Sequence, residues 1–270
     1  MAAGSCEHSA AVPGSLDLIE GAALRFRLTP YVTGPDALAS LDKLLSRWRD
    51  HLAVVPEAAG EDTAAVIAWP SRDVAGVRAL VAHGLAPLGV IAARSASRRP
   101  AMIADCPPGV RIRRAGPADL DVVARMGTEV VRFDAHFGGV IERPRAAEAL
   151  RAEVAGLLDE HEPWAWLAER DGDPVGLLVA ERPEAAGWIA PRTCQSPLAY
   201  LLALFVAPAE RGAGIGTALT GHLHCEAAAA RVSVILQYEQ VNPLAVPFWG
   251  HQGYRPLWTT WEARPARMLR

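Results

Sequence analysis

Apolar positions along this chain switch between two spacings. Across 35–52, Leu38, Leu41, Leu44, Leu45, Trp48 and Leu52 recur every three or four residues, with Asp42, Lys43, Arg47 and Arg49 between them. That spacing is one face of a helix turned towards a core. Shorter apolar runs at 23–28, 64–69 and 88–94 read as strands. Pro70-Ser71-Arg72-Asp73 is a turn that starts a helix, with Val74, Val77, Leu80 and Val81 along it and Gly84 ending it. Residues 1–14 are small and polar and are predicted to be loose. Residues 95–108 are polar and proline-bearing, the composition of a linker.

From Val110 the pattern restarts. Val110-Arg111-Ile112-Arg113-Arg114 alternates as a strand does, and Pro117 opens a helix carrying Leu120, Val123, Met126 and Val130. Periodicity breaks over 133–141 and resumes in a helix at 145–161. Two strands, 164–169 and 175–181, flank the hairpin signal Arg170-Asp171-Gly172-Asp173. The loop at 182–197 is long enough to suggest a role in function. A buried strand from Ala199, a helix at 217–230, a strand at 232–241, a short helix at 242–252 and a strand at 257–264 complete the order β-α-α-β-β-β-α-β-α-β. The expected architecture is α/β, a mixed central sheet flanked by helices. The expected division is into residues 1–105, ordered over 15–100, and residues 106–270.

One stretch carries a chemical signal. The apolar run Tyr200 to Val206 meets a break at Ala207-Pro208, then Arg211-Gly212-Ala213-Gly214-Ile215-Gly216, then a helix. Successive glycines let the backbone turn with its N–H groups inward, and the positive end of the next helix adds to the attraction for an anion such as a pyrophosphate. A dinucleotide fold wants G-x-G-x-x-G early in a βαβ unit, and an ATP loop wants Lys before Ser or Thr; neither is present here.

The spacing R-x-x-G-x-G of Arg211, Gly214 and Gly216 resembles the acyl-CoA loop of the GNAT superfamily of N-acyltransferases. Val206-x-Pro208 ahead of it and the element order from 110 to 264 are similar too. A second block, Asn242-Pro243-Leu244-Ala245 through Trp249 to Gly253-Tyr254, resembles that family's later motif. The resemblance implies a GNAT fold that takes acetyl-CoA as co-substrate. Phe205 and Val206 would meet the pantetheine arm. Arg211, Gly212, Ala213, Gly214, Ile215, Gly216 and Thr217 would hold the pyrophosphate, and Asn242 and Trp249 would lie beside the cofactor. His83-Gly84-Leu85-Ala86-Pro87-Leu88 echoes Gly253-Tyr254-Arg255-Pro256-Leu257. Residues 15–100 are therefore read as a degenerate, partial copy of the same fold that lacks the glycine loop and binds no CoA.

The proton-handling groups depart from the family. The strand before the glycines carries no carboxylate, and Trp249 stands where relatives frequently place a tyrosine thought to protonate the thiolate. Glu239 and His136 are the leading candidates for a general base, with Asp134, Glu181 and a chain of waters as alternatives. Asp134, Glu142 and Glu181 would suit a cationic acceptor, and Trp188 in the long loop would cover an apolar one. His251 is a candidate acid. The implied activity is transfer of an acetyl group to a primary amine of a small molecule or peptide by direct attack. The alternatives are an acyl-CoA-binding module without catalysis, and O-acylation.

Composition narrows the field further. The chain has 270 residues, a hydrophobic fraction of 51% and a net charge of −3, which supports a substantial core and gives no basic field for nucleic acid. No apolar run approaches the roughly 18 residues of a membrane span, and the first residues do not read as a secretory signal. Cys6, Cys106, Cys194 and Cys225 are scattered, as in a reduced cytoplasmic protein. No spacing suggests a metal site or a Gly-x-Ser-x-Gly nucleophile. A homodimer is left open.

Overall fold

The computed structural model describes residues 2–12, 19, 21–98 and 106–270. Residues 99–105 of the expected linker and 15–18 at the start of the expected first domain lie outside them. The apolar runs form strands and the three-to-four spacings form helices. In chain order these are β1 (Ala2–Ala10), β2 (Leu24–Val32), α1 (Ala37–Val54), β3 (Thr63–Pro70), α2 (Val74–Ala82), β4 (Ala86–Arg94) and β5 (Val110–Arg114). There follow α3 (Leu120–Ala135), α4 (Ala146–Leu158), β6 (Ala165–Arg170), β7 (Asp173–Glu181), β8 (Leu198–Val206), α5 (Ile215–Ala229), β9 (Ser233–Glu239), α6 (Ala245–His251) and β10 (Arg255–Ala263). The start of the chain differs from expectation. Residues 2–10 are small and polar, yet they pair along their whole length, antiparallel, with β2.

Among the described residues, the ten strands join one sheet in the order β1-β2-β3-β10-β4-β9-β8-β7-β6-β5. Only β2 with β3 and β8 with β9 run parallel. Both parallel pairs sit in the same succession of strand, helix, strand, helix, strand: β2-α1-β3-α2-β4 and β8-α5-β9-α6-β10. The closing strands are exchanged. β4 lies against β9, and β10 lies between β3 and β4. The expected boundary near residue 105 therefore divides the chain but not the sheet, because each half borrows its last strand from the other.

The cores cross that boundary too. On one face, α5 lays Ile215, Leu219 and Leu223 on Leu178, Leu201 and Leu236, with Trp249 and Tyr254 beside them. On the other, α3 and α4 cover Leu167, Leu177 and Val179 with Val123, Met126 and Leu158. In the N-terminal half, Leu41, Leu45, Trp48, Ile67 and Leu80 are completed by Trp261, Ala263 and Leu269 from the end of the chain. Val74 and Val81 of α2 face outward, and Leu80 carries that helix's burial.

Candidate functional site

The cleft begins where β8 leaves β9. Their parallel ladder runs from Leu198 opposite Ser233 to Leu201 opposite Leu236 and goes no further. On the other side, Leu201 pairs with Ala180 and Ala203 with Val179, so Leu202 is an extra residue in β8. Such a bulge bends the strand that carries it. Beyond it, residues 203–206 stay bonded to β7 while their far edge faces open space. The resulting cavity of about 410 Å³ is lined by Leu204, Phe205 and Val206 on one side and Gln237, Tyr238 and Glu239 on the other.

The glycine loop closes one end. After a short turn at Pro208–Glu210, Arg211 is extended, and Gly212 and Gly214 take φ of 82° and 91°. Gly214 is the N-cap of α5, and its backbone lies in a region that a Cβ disfavours. The first helical bond runs from Ala218 N to Gly214 O at 3.0 Å. The amides of Ile215, Gly216 and Thr217 thus have no helical acceptor, and all three residues line the cavity. Glu210, the acid of this loop, is drawn aside by Arg170, whose Nη2 lies 2.8 Å from its carboxylate. Glu210 still lines the cavity, with its charge at the helix's positive end offset by that guanidinium.

Of the residues expected around a cofactor, Phe205, Val206, Arg211, Gly212, Gly214, Ile215, Gly216, Thr217, Asn242 and Trp249 line this one cavity; Ala213 does not. The Arg211 side chain folds back. Its Nε donates to the Val206 carbonyl at 3.1 Å, and its guanidinium stacks 5.0 Å from the Phe133 ring. Asn242 is buried and works twice. Its Oδ1 accepts from Leu244 N and Ala245 N, and its Nδ2 donates to Asp134 at 3.2 Å. The helix that it introduces starts at Ala245, three residues later than expected, with Pro243 left in the preceding turn. Trp249 is buried edge-on between Phe248 and Tyr254.

The two leading candidates for a base are separated. Glu239 lies at the end of β9, lines the cavity and is 4% exposed, and its Oε2 has no hydrogen-bond partner. Burial first, then the charges of Asp134 and Glu262, push its carboxyl up to about 8, against a partial offset from Arg264. Asp134 shares the cavity; burial raises it to about 6 against the Asn242 hydrogen bond. His136 is not brought in. The helix predicted to break at 133 runs to Ala135, which leaves His136 exposed at the C-cap with Nδ1 2.9 Å from the Arg132 carbonyl.

The remaining polar candidates are engaged elsewhere. Trp188 Nε1 donates to Glu181 at 2.8 Å and stacks edge-on with Tyr200, so that acid is capped by the indole. Glu142 pairs with Arg132 on the surface. The exposed His251 places Nδ1 2.6 Å from the Pro247 carbonyl. The Tyr254 phenol is fully buried against His224 at 3.2 Å. Tyr238 was missed. It lies on the α5 side of β9 and lines the cavity, and burial raises its hydroxyl above the ordinary range. The alternation Val234, Leu236, Tyr238 was the signal that could have found it. Among the described residues, no group of His, Cys, Asp and Glu is arranged to hold a metal, and no helix is long and apolar enough to cross a membrane.

Residues 162–256 match the acetyltransferase (GNAT) domain family. Among solved structures, the chain is similar to a GCN5-related N-acetyltransferase from Sphaerobacter thermophilus, with 14% identity and a TM-score of 0.62 over 98% of this chain and 77% of that one. A GNAT-family acetyltransferase from Colwellia psychrerythraea is 15% identical, with a TM-score of 0.55 over 88% and 76% of the two chains. A GCN5-related N-acetyltransferase from Kribbella flavida is also 15% identical, with a TM-score of 0.50 over 89% and 80%. At such identities the likeness shows the fold. No curated protein matches the chain by sequence.

Proposed function

We propose, on the premise that residues 162–256 match the acetyltransferase (GNAT) domain family, that the chain transfers an acetyl group from acetyl-CoA to a primary amine of a small molecule or peptide. The observation that carries the proposal is a single cavity with free helix amides at one end and an unpartnered buried carboxylate at the other. The amides of Ile215, Gly216 and Thr217 would receive the diphosphate. The open edge of β8 would pair with the pantetheine amides as an added strand would. The thioester would then lie towards Glu239.

An amine arrives largely as its ammonium form. Glu239, with its affinity for protons raised by burial, takes one proton from the nitrogen and leaves a lone pair. That pair attacks the thioester carbonyl carbon and forms a C–N bond, and main-chain N–H groups at the end of β8 face the developing oxyanion. Collapse breaks the C–S bond. The thiolate leaves, and the second proton of the nitrogen goes to the sulfur. Trp249 has no acidic proton to give near neutral pH; the Tyr238 hydroxyl is the phenol in the cavity that could relay it. Asp134, ionised above about pH 6, favours an acceptor that carries positive charge. A cytoplasmic setting is part of this reading, on the strength of four unpaired cysteines.

Calorimetric titration with acetyl-CoA, followed by a free-thiol assay over polyamines, aminoglycosides and peptide N-termini, tests the proposal. Binding with thiol release that is lost in Glu239→Gln is expected. Binding with no release for any amine would instead favour an acyl-CoA-binding module, a reading that Trp249 in place of the family's tyrosine supports.

A further inference from the structure

The segment joining α3 to α4 passes directly over Glu239. A Cβ built on Gly139 would overlap both carboxylate oxygens of Glu239, so the bare backbone of Gly139 fills the space above the carboxylate. On its other side, the Gly139 carbonyl abuts Gly21, where a Cβ would meet it at 3.9 Å and the Glu262 carboxylate at 3.5 Å. The segment is fastened to the N-terminal half at three points. Ile141 N donates to Ile19 O at 2.9 Å. Arg143 donates to both oxygens of Asp62, at 2.7 and 2.9 Å, and Arg143 Nη2 also reaches the Gly21 carbonyl at 3.1 Å. Asp62 is itself oriented by Ala23 N at 2.9 Å.

We infer that Gly139 is a positioning residue for Glu239, and that the N-terminal half holds it in place through the Arg143–Asp62 pair. The N-terminal half then has a task that requires no ligand of its own. It keeps a strip of backbone pressed on the carboxylate and shuts water out from that side. The charged groups facing Glu239 are Asp134 from α3, Glu262 from β10 and Arg264 just beyond that strand. Arg264 Nε is occupied by Glu262 at 2.7 Å. β8 contributes none along 201–206. Arg25 and Arg27 of β2 act on Glu262. Asp62 also interacts with Arg264, whereas Arg143 is not among the charges acting on Glu239, so Arg143→Ala is the cleaner cut and Asp62→Asn its check.

This inference rests on Glu239 being the proton acceptor, and its test separates the two. In the full chain labelled with 13C at the glutamate carboxyls, the Glu239 signal, assigned by its disappearance in Glu239→Gln, is titrated by NMR. Arg143→Ala and Asp62→Asn should each lower its midpoint by about one pH unit or more, as water returns to the carboxylate. Arg143→Lys should recover part of the shift. Asp62→Asn keeps an oxygen for Ala23 N and provides the reading if Arg143→Ala fails to fold. Midpoints unchanged in both variants, with both folded, would overturn the inference. Midpoints that fall while Glu239→Gln leaves turnover intact would support the clamp and remove Glu239 from the chemistry.

Discussion

The molecule opens twice in the same way and lines the two openings differently. β2 and β3 are paired from Leu24 opposite Thr63 to Leu28 opposite Ile67 and then separate, as β8 and β9 do after Leu201. The N-terminal gap is a cavity of about 500 Å³ walled by Trp69, Trp258, Tyr31 and Leu38. Gly34, with φ of 92°, stands ahead of α1 as Gly214 stands ahead of α5. The contents differ. Asp36 occupies the N-cap of α1 and sets a negative charge at its positive end, whereas α5 starts from a glycine with its nearby acid tied to Arg170. Asp73 lines the N-terminal gap, but it caps α2 through Gly76 N and accepts from Trp69 Nε1. Parted parallel strands provide a gap; free amides and an unsatisfied acid provide chemistry.

The contrast can be broken from either side. Glu239→Gln should lower turnover by about 10²-fold or more, the usual weight of a general base. Asp73→Ala should leave turnover alone and reduce stability by about 1 kcal/mol, the worth of a helix cap. Steady-state rates and chemical denaturation read both. A comparable effect is expected on affinity. Gly214→Val forces a branched residue to φ of 91° beside the free amides. It should weaken acetyl-CoA binding about 100-fold, equivalent to about 2.7 kcal/mol. Gly34→Ala should leave calorimetric affinity unchanged, and equal losses in the two variants would erase the distinction between the gaps.

The next test asks how separate the halves are. Leu45 and Leu219 are fully buried in different cores. Truncating either to alanine should cost about 3 kcal/mol. Both should lower one common melting transition, because a single sheet joins the cores; two resolved transitions would show halves that unfold independently. The gentlest effect is on pH. Glu239 keeps its proton up to about pH 8 when folded and releases it near the ordinary 4.5 when unfolded. Between those values the folded state binds more protons, so stability falls as pH rises, while activity climbs through about 8 as the base form appears. Glu239→Gln should therefore melt a few degrees higher than the parent at pH 8 and no higher at pH 4.

Most of the fold was legible because burial here follows period. The runs 64–69, 88–94 and 200–206 became strands, and Leu41, Leu45, Trp48 and Leu52 turned inward on one helix face. The glycine loop was legible because few residues other than glycine tolerate the φ of positions 212 and 214. What stayed hidden depends on partners distant in sequence. Residues 2–10 carry no apolar alternation and are ordered by the edge of β2. His136 and Asp134 are two residues apart, and only the extension of α3 to Ala135 decides that the acid, not the imidazole, reaches the cavity. Glu239 could be suspected from its place after an apolar strand. Its unusual affinity for protons is set by Gly139, Asp134 and Glu262, which no local pattern connects to it.

The exchange of β4 and β10 has a consequence for synthesis. As the chain leaves the ribosome, its first half emerges with the edge of β3 bare and a core that still lacks Trp261, Ala263 and Leu269. Such an edge invites pairing with other chains, and the contacts that cover it span nearly two hundred residues. Translation of that half should therefore be followed by a wait in which it is a client for chaperones. A break introduced between residues 98 and 106 should give two pieces that are insoluble apart and recover when made together.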